Sequence, residues 1–235
     1  MSSETTSPIQ SMFAEVPETY ELVDHVLTLG LDILWRRKAA RLAAKGGGTQ
    51  WVDMCTGTGE MAIYLNRLAP EGAKIYAVDF CESMMEKARQ KPDAKHIHFF
   101  AADIKALPFD DESFDLVTMS FATRSINVSR ESLIRSFSEY YRVLKPDGSF
   151  VSLETSRPPF WPIRKCFDLY VKLFVKQIGS RISGSRKAYA FLAGTIPRFY
   201  PAEELAGIMK QAGFDEVTFK RLCFGAAAIH QARKL

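Results

Sequence analysis

Trp51-Val52-Asp53-Met54-Cys55-Thr56-Gly57-Thr58-Gly59-Glu60 is the stretch on which the reading of this 235-residue chain turns. An apolar run passes through two glycines and enters a segment with apolar residues at helical spacing. Glycines at 57 and 59 let the backbone turn tightly and approach a ligand at the carboxyl edge of a sheet. Outward from here, the spacing predicts strands over Gln50–Cys55, Lys74–Val78, His96–Phe100, Phe114–Phe121 and Ser149–Leu153. Helices over Glu60–Leu68, Ser83–Arg89 and Glu131–Leu144 alternate with them. The expected fold is α/β, a doubly wound Rossmann-like sheet, mostly parallel, with right-handed crossovers. Helix Ala202–Ala212 and strands Glu216–Arg221 and Phe224–His230 complete it, the last strand antiparallel.

Residues 1–45 read as a helical cap, with Leu22, Val26, Leu29, Ile33 and Leu34 at helical spacing, and Gly46-Gly47-Gly48 ends it. The core is expected over 46–157 and 201–235, and 158–200 forms a basic, aromatic helical insert acting as a lid. From Arg157 to Lys187 there are eight basic residues against Asp168 alone, a local charge of +7 in a chain of net charge +4. Such concentration implies a local anionic partner, and contact with an anionic membrane is expected. Ile163, Phe167, Tyr170 and Phe174 should share one helix face. Arg164–Asp168 and Asp168–Lys172 are expected as helix pairs. Apolar runs such as 167–175 are interrupted by charge, so no bilayer span is expected. The first dozen residues hold Glu4 and no Arg or Lys, unlike a secretory or Arg-rich transit leader. Four scattered cysteines with no CxxC pair suggest reduced thiols in a cytoplasmic protein, and no metal. A homodimer is left open; nucleic acid is not expected.

Gly57, Gly59 and Ala62 also satisfy the dinucleotide pattern G-x-G-x-x-A, and Tyr141-x-x-x-Lys145 imitates a dehydrogenase pair. Three features favour S-adenosylmethionine instead. Glu60 opens the helix where a pyrophosphate would sit, and a carboxylate repels phosphate but suits a cationic ligand. Pro146-Asp147-Gly148 follows Lys145 at once, so no helix carries the Tyr-Lys pair onward. Asp79 closes the second strand twenty residues after Gly59, where an acid accepts both ribose hydroxyls. Asp103, followed by Leu107-Pro108-Phe109, places a carboxylate and an apolar wall near an adenine.

Beyond the glycine loop, Phe13, Tyr20-Glu21, Asp24, Leu27-Thr28-Leu29-Gly30 and Trp35-Arg36 follow a recognisable opening. With Ser113-Phe114-Asp115, Arg142-Val143-Leu144-Lys145-Pro146 and the Gly225…His230 ending, the chain resembles the UbiE-type ubiquinone/menaquinone C-methyltransferases over nearly its whole length. The resemblance implies a class I methyltransferase fold and methylation of a prenylated aromatic quinone precursor. The cofactor residues expected are Asp53, Gly57, Thr58, Gly59, Asp79, Phe80, Asp103, Ile104 and Ser120. Departures gather on the acceptor side. The family's Phe-Gly-Leu-Arg-Asn is here Phe121-Ala122-Thr123-Arg124-Ser125, its Glu-Phe-Ser is Glu154-Thr155-Ser156, and Asp24 stands where Asn is usual. A Tyr-rich family block is here Ala188 to Ile196.

Carbon methylation of a hydroquinone needs a base for the ring hydroxyl and a cation near the phenolate. Arg124 is expected to be that cation. Tyr20, Asp24, His25 and His230 are candidates for orienting the acceptor or relaying the proton, with Tyr20 placed beside Arg124 as catalytic. Two other readings stay open: transfer to O or N of another aromatic or lipid, and a degenerate module that binds the cofactor without transfer.

Overall fold

β1 (Gln50–Met54) alternates its side chains between two cores, and the rest of the molecule is arranged around that division. In this computed structural model, residues 18–126, 129–183, 194, 196 and 199–235 are described. Phe13, Arg186, Lys187 and all of the 188–196 block except Gly194 and Ile196 lie outside them. The elements are α1 (Tyr20–Thr28), α2 (Leu31–Ala43), β1, α3 (Glu60–Leu68), β2 (Lys74–Asp79), α4 (Glu82–Arg89), β3 (Ile97–Ala101) and β4 (Phe114–Ser120). Then come α5 (Thr123–Ile126), α6 (Arg130–Val143), β5 (Leu144–Thr155), α7 (Trp161–Tyr170), α8 (Lys176–Ser183), α9 (Ala202–Gln211), β6 (Asp215–Leu222) and β7 (Ala227–Arg233).

The seven strands form one sheet in the order β3-β2-β1-β4-β5-β7-β6. β1 pairs in parallel with both β2 and β4, so the chain reverses its winding direction there, and ligand clefts form outside such a switch point. β7 runs antiparallel between β5 and β6. Val52, Met54, Val117 and Met119 face a core with Phe137, Tyr140, Phe150 and Ile208 from α6, β5 and α9. Trp51, Leu116, Val151 and Ile229 face the other, against Ala39, Ala40 and Leu65 of α2 and α3. The period-2 alternation of buried strands thus supplies both helix layers with an apolar floor.

Several expectations need correction. The apolar stripe through residues 22–34 does not form one buried face: Leu22, Val26, Leu29 and Leu34 are exposed. Leu29 (φ 54°) and Gly30 (φ 75°) adopt left-handed conformations that split the stretch into α1 and α2 and rotate one helix against the other. α2 instead buries Asp32, Arg36, Ala39, Ala40 and Ala43. Phe224 is not in a strand but in a turn over Cys223–Gly225 with positive φ throughout, and it stands 79% exposed. Residues 146–148 do not separate a helix from a strand: β5 already starts at Leu144, with an irregularity against β4 between Phe114 and Leu116. Lys145 is therefore a strand residue, paired with Asp115 at 2.9 Å, and the Tyr141–Lys145 helix pair does not exist.

α7 continues through a π-helical turn, Val171–Val175, into α8. Phe167 and Tyr170 pack with Val23, Val171 and Val175, while Phe174 stacks on Tyr170 and stays half exposed. The Asp168 pairs do not form. Arg164 donates to the Pro158 and Pro159 carbonyls, and Asp168 Oδ1 is buried without a hydrogen-bond partner among the described residues. Among the described residues no helix is long and apolar enough to cross a membrane.

Candidate active site

At the carboxyl ends of β1, β2 and β4 lie two adjoining cavities, of about 50 and 240 Å³. The smaller is bounded by Gly57, Thr58, Asp79, Phe80, Met84 and Ser120. Gly57 (φ 54°) turns its N–H onto Asp79 Oδ2 at 2.8 Å, and the Cys81 N–H reaches Oδ1 at 2.9 Å. Burial pushes the Asp79 carboxyl above its ordinary value, opposed by these backbone donors. With Phe80, three backbone amides bond this almost buried carboxylate, and they do not exhaust its acceptor capacity, which leaves it able to accept from a diol. Among the described residues the cation lining this cavity is Arg36, already paired with Asp32 and Glu60, so none of them offers a free cation to a pyrophosphate. The donor set fits a nucleoside with a cationic, apolar-lined head, which is the chemistry of S-adenosylmethionine.

Asp53 stands below the loop, 1% exposed, accepting from Thr56 and Thr118 hydroxyls at 2.7 Å each. Burial raises its carboxyl to about 7, and the two hydroxyls pull the other way. Gly59 also shapes the loop rather than lining the cavity, since a Cβ there would come within 2.8 Å of the Ala88 Cβ. Asp103 is exposed, its Oδ1 holding the Lys105 N–H, and Ile104 is buried in the core; neither borders the cavity.

The larger cavity is walled by helices. Leu27, Leu31, Trp35, Phe167, Tyr170 and Val171 make it apolar, and Asp24, Asp32 and Arg124 are its charged groups. Phe121 (φ 55°) lines both cavities and carries the Arg36 guanidinium 4.9 Å from its ring centre. Behind this partition sits a cluster that joins three helices. Arg36, 4% exposed, meets Asp32 at 2.5 Å, Glu60 at 3.2 Å and Asp24 at 3.7 Å. His25 Nδ1 lies 2.8 Å from Asp32. Burial would raise the Asp32 carboxyl, but Thr28, Arg36 and His25 together hold it below its usual value. Burial keeps Glu60 raised against the pull of Arg36. His25, Asp32 and Glu60 present ligand-type atoms within 4.8 Å of one another, and the guanidinium is the cation among them. Glu60 is therefore not the bare charge its place at a helix start suggested.

A sequence profile of the ubiE/COQ5 methyltransferase family matches residues 1–234. The chain belongs to that family. Membership makes it an enzyme, a methyltransferase that takes its methyl group from S-adenosylmethionine. Similar proteins include the demethylmenaquinone methyltransferase of Thermus thermophilus, 37% identical over 93% of this chain and 98% of that one. The ubiquinone/menaquinone biosynthesis C-methyltransferase UbiE of Dinoroseobacter shibae is 32% identical, covering 97% of this chain and 90% of its own. Among solved structures, a SAM-dependent methyltransferase of Thermotoga maritima aligns with a TM-score of 0.68 at 20% identity, over 97% of this chain and 100% of that one. The cyclase SpnF also aligns, with a TM-score of 0.61 at 18% identity over 84% and 81%. Likeness at such identity speaks for the shared class I fold alone.

Of the residues expected at the family's site, Gly57, Thr58, Asp79, Phe80, Ser120 and Tyr20 border the smaller cavity and Arg124 the larger. Among the described residues, no carboxylate is ion-paired with Arg124. His230 is in neither: it is buried on β7, its Nε2 2.9 Å from the Ala202 carbonyl, with burial lowering it to about 4. Sequence reasoning missed Arg36 as the hub. The spacing Asp32…Arg36, one helical turn, was the available sign, and it concealed that Glu60 joins from another helix.

Proposed function

We propose that the enzyme transfers the methyl group to a ring carbon of a hydroquinone bearing an apolar tail, as the names of its family relatives describe for demethylmenaquinone. The observation that carries this is the larger cavity: aromatic and aliphatic walls, the Arg124 guanidinium, and a partition shared with the cofactor side. Bound S-adenosylmethionine supplies an electrophilic methyl group. We assign Gly57, Thr58, Asp79, Phe80 and Ser120 to holding it, with Asp53 and Gly59 fixing the loop. Arg124 lies where negative charge develops on the ring oxygen, and a guanidinium lowers the barrier there. Tyr20, on the cofactor side beside Arg36, orders the partition. The insert 158–200 acts as the lid, its π-helical turn placing Val171 and Val175 in the cavity wall.

Incubating the pure protein with methyl-labelled cofactor and a demethylated naphthohydroquinone tests the reading. Label in a carbon–carbon bond of the ring is expected. Label on oxygen or nitrogen would move the enzyme to the O- or N-methyl class, and no transfer with intact cofactor binding would make it a degenerate binding module.

A second reading concerns the surface. Trp161 is 67% exposed, and Lys165, Leu169, Lys172 and Leu173 are exposed along the same side of α7 and its π turn. Leu29, 82% exposed, stands at the cavity itself. We propose that this side rests on an anionic membrane, where basic side chains contribute roughly 1 kcal/mol each and aromatic rings settle at the headgroups. The protein would then meet its acceptor there as a cytoplasmic, peripheral enzyme. Co-sedimentation with anionic vesicles at low salt, lost at high salt and weakened by Lys165→Glu with Lys172→Glu, is the expected result. Absence of binding at every ionic strength would leave the insert a lid only.

A further inference from the structure

We infer that Asp24, at a position where the family usually has Asn, is this chain's own base for removing the proton from the acceptor's ring hydroxyl. The inference rests on the hydroquinone reading above and names the group that reading leaves unassigned.

Among the described residues two carboxyls border the larger cavity, Asp24 and Asp32. Asp32 is 1% exposed and fully engaged: Thr28 donates to Oδ1 at 2.6 Å, and Arg36 and His25 occupy Oδ2. Asp24 is different. Its side chain keeps 15% of its surface, it faces the cavity, and among the described residues its carboxyl accepts no hydrogen bond. Among the described residues its close cation is Arg36 Nη2 at 3.7 Å, a longer contact than those Asp32 and Glu60 make with the same guanidinium. Asp24 is thus the member of the cluster with an open lone pair, on an apolar chamber, next to where the ring must lie. Arg124 borders the same cavity and acts on Asp24 through charge.

The environment also suits the task. Burial raises the Asp24 carboxyl above its ordinary value, opposed by Arg36, Arg124 and His25 and reinforced by Asp32. A desolvated, weakly paired carboxylate is a stronger base than one in water. His25 is turned to Asp32, and neither it nor Tyr20 borders the acceptor cavity, so neither competes.

The step balances as follows. The ring O–H bond breaks, its proton going to Asp24 Oδ and its electron pair staying on oxygen beside Arg124. The ring carbon so enriched takes the methyl group in line, and the carbon–sulfur bond breaks with its pair left on sulfur. The methylated carbon then releases its hydrogen as a proton while the ring oxygen recovers one from Asp24. The ring regains aromaticity, the carboxylate is restored, and one proton is released overall.

The test compares wild type, Asp24→Asn and Asp24→Glu on a demethylated naphthohydroquinone across pH, with cofactor affinity measured calorimetrically in each. Asp24→Asn preserves the shape of the side chain and installs the residue usual in the family, so it tests whether this chain depends on a base of its own at that position. We expect on the order of 10²-fold slower turnover at neutral pH with cofactor affinity unchanged. Its rate should climb with pH as the hydroquinone ionises unaided, and the acidic limb of the wild-type profile should vanish. Asp24→Glu should restore the limb and part of the rate. The charged and polar groups around Asp24, namely Tyr20, His25, Asp32, Arg36, Glu60 and Arg124, are identical in all three proteins. Wild-type-like turnover in Asp24→Asn, or a loss that keeps the acidic limb, overturns the base while leaving the acceptor standing. An inactive wild type overturns the acceptor reading, and the base falls with it.

Discussion

On the side of the partition that we assign to the cofactor, the main chain holds the carboxylate that lines the cavity. Asp79 sits at a strand end and is gripped by the Gly57 and Cys81 amides, and Gly59 packs on Ala88 of α4. On the side that we assign to the acceptor, the holding is done by side chains. α1, α2 and α3 converge on one guanidinium. Backbone scaffolding tolerates side-chain change, whereas a buried ionic hub fails when its single cation is removed. The cofactor half should therefore accept substitution with local effects, and the acceptor half should transmit it.

The sharpest way to break this contrast is Arg36→Met. With three carboxylates left around an apolar side chain, urea unfolding should show a loss of about 3–5 kcal/mol. A loss well under 1 kcal/mol would mean that water already serves the cluster and that the acceptor half is no more fragile. Arg124→Ala comes next. It carries no ion pair among the described residues, so the fold should hold while turnover falls on the order of 10²-fold, as for loss of a charge-stabilising donor, at unchanged cofactor affinity. Normal turnover on the true acceptor would remove its assigned role.

Asp79→Ala probes the other half. A hydrogen bond to a charged group is typically worth about 1.5–3 kcal/mol, so calorimetry should give roughly 10- to 100-fold weaker cofactor binding in a folded protein. Unfolding of this variant would show that the cofactor half, too, depends on a side chain. The smallest effect belongs to the sheet beneath both. His230 is lowered from 6.5 to about 4 in the folded state. Below its ordinary pKa the unfolded chain binds a proton that the folded one refuses, so stability falls as pH drops from 6.5 towards 4. Asp53 and Glu154, both raised to about 7, act oppositely, losing stability as pH rises through that range. His230→Gln should cancel only the histidine contribution. Relative to the wild type it should be spared about 2 kcal/mol of destabilisation by about pH 5, and parallel pH–stability curves would contradict the lowered histidine.

Most strands and helices around the glycine loop could be read from the sequence because their signals are local. Buried parallel strands are short apolar runs, and Gly57 and Gly59 interrupt one of them where a turn is required. The cap could not be read so, because two left-handed residues, Leu29 and Gly30, break a pattern that looks continuous. Asp79 announced itself by its place at a strand end. Asp103 had the same kind of place, yet its carboxylate turns onto the Lys105 amide and stays exposed. Arg36 was quoted as part of an opening pattern, but its partners at positions 24, 32 and 60 meet only through packing of three helices. Residue spacing records neighbours on one element; it carries no trace of which elements will touch.

The position of β7 has a bearing on how the protein is made. Among the described residues β6 pairs with β7 alone, and β7 also covers the open side of β5. As the ribosome delivers the chain, β6 emerges before its sole partner, and β5 waits with an unpaired edge while everything up to Leu222 is already present. Such an edge is a template for pairing with a neighbouring nascent chain. The seven residues Ala227–Arg233 are then a closing clasp, and polysomes stalled just short of them should be the stage at which this enzyme aggregates.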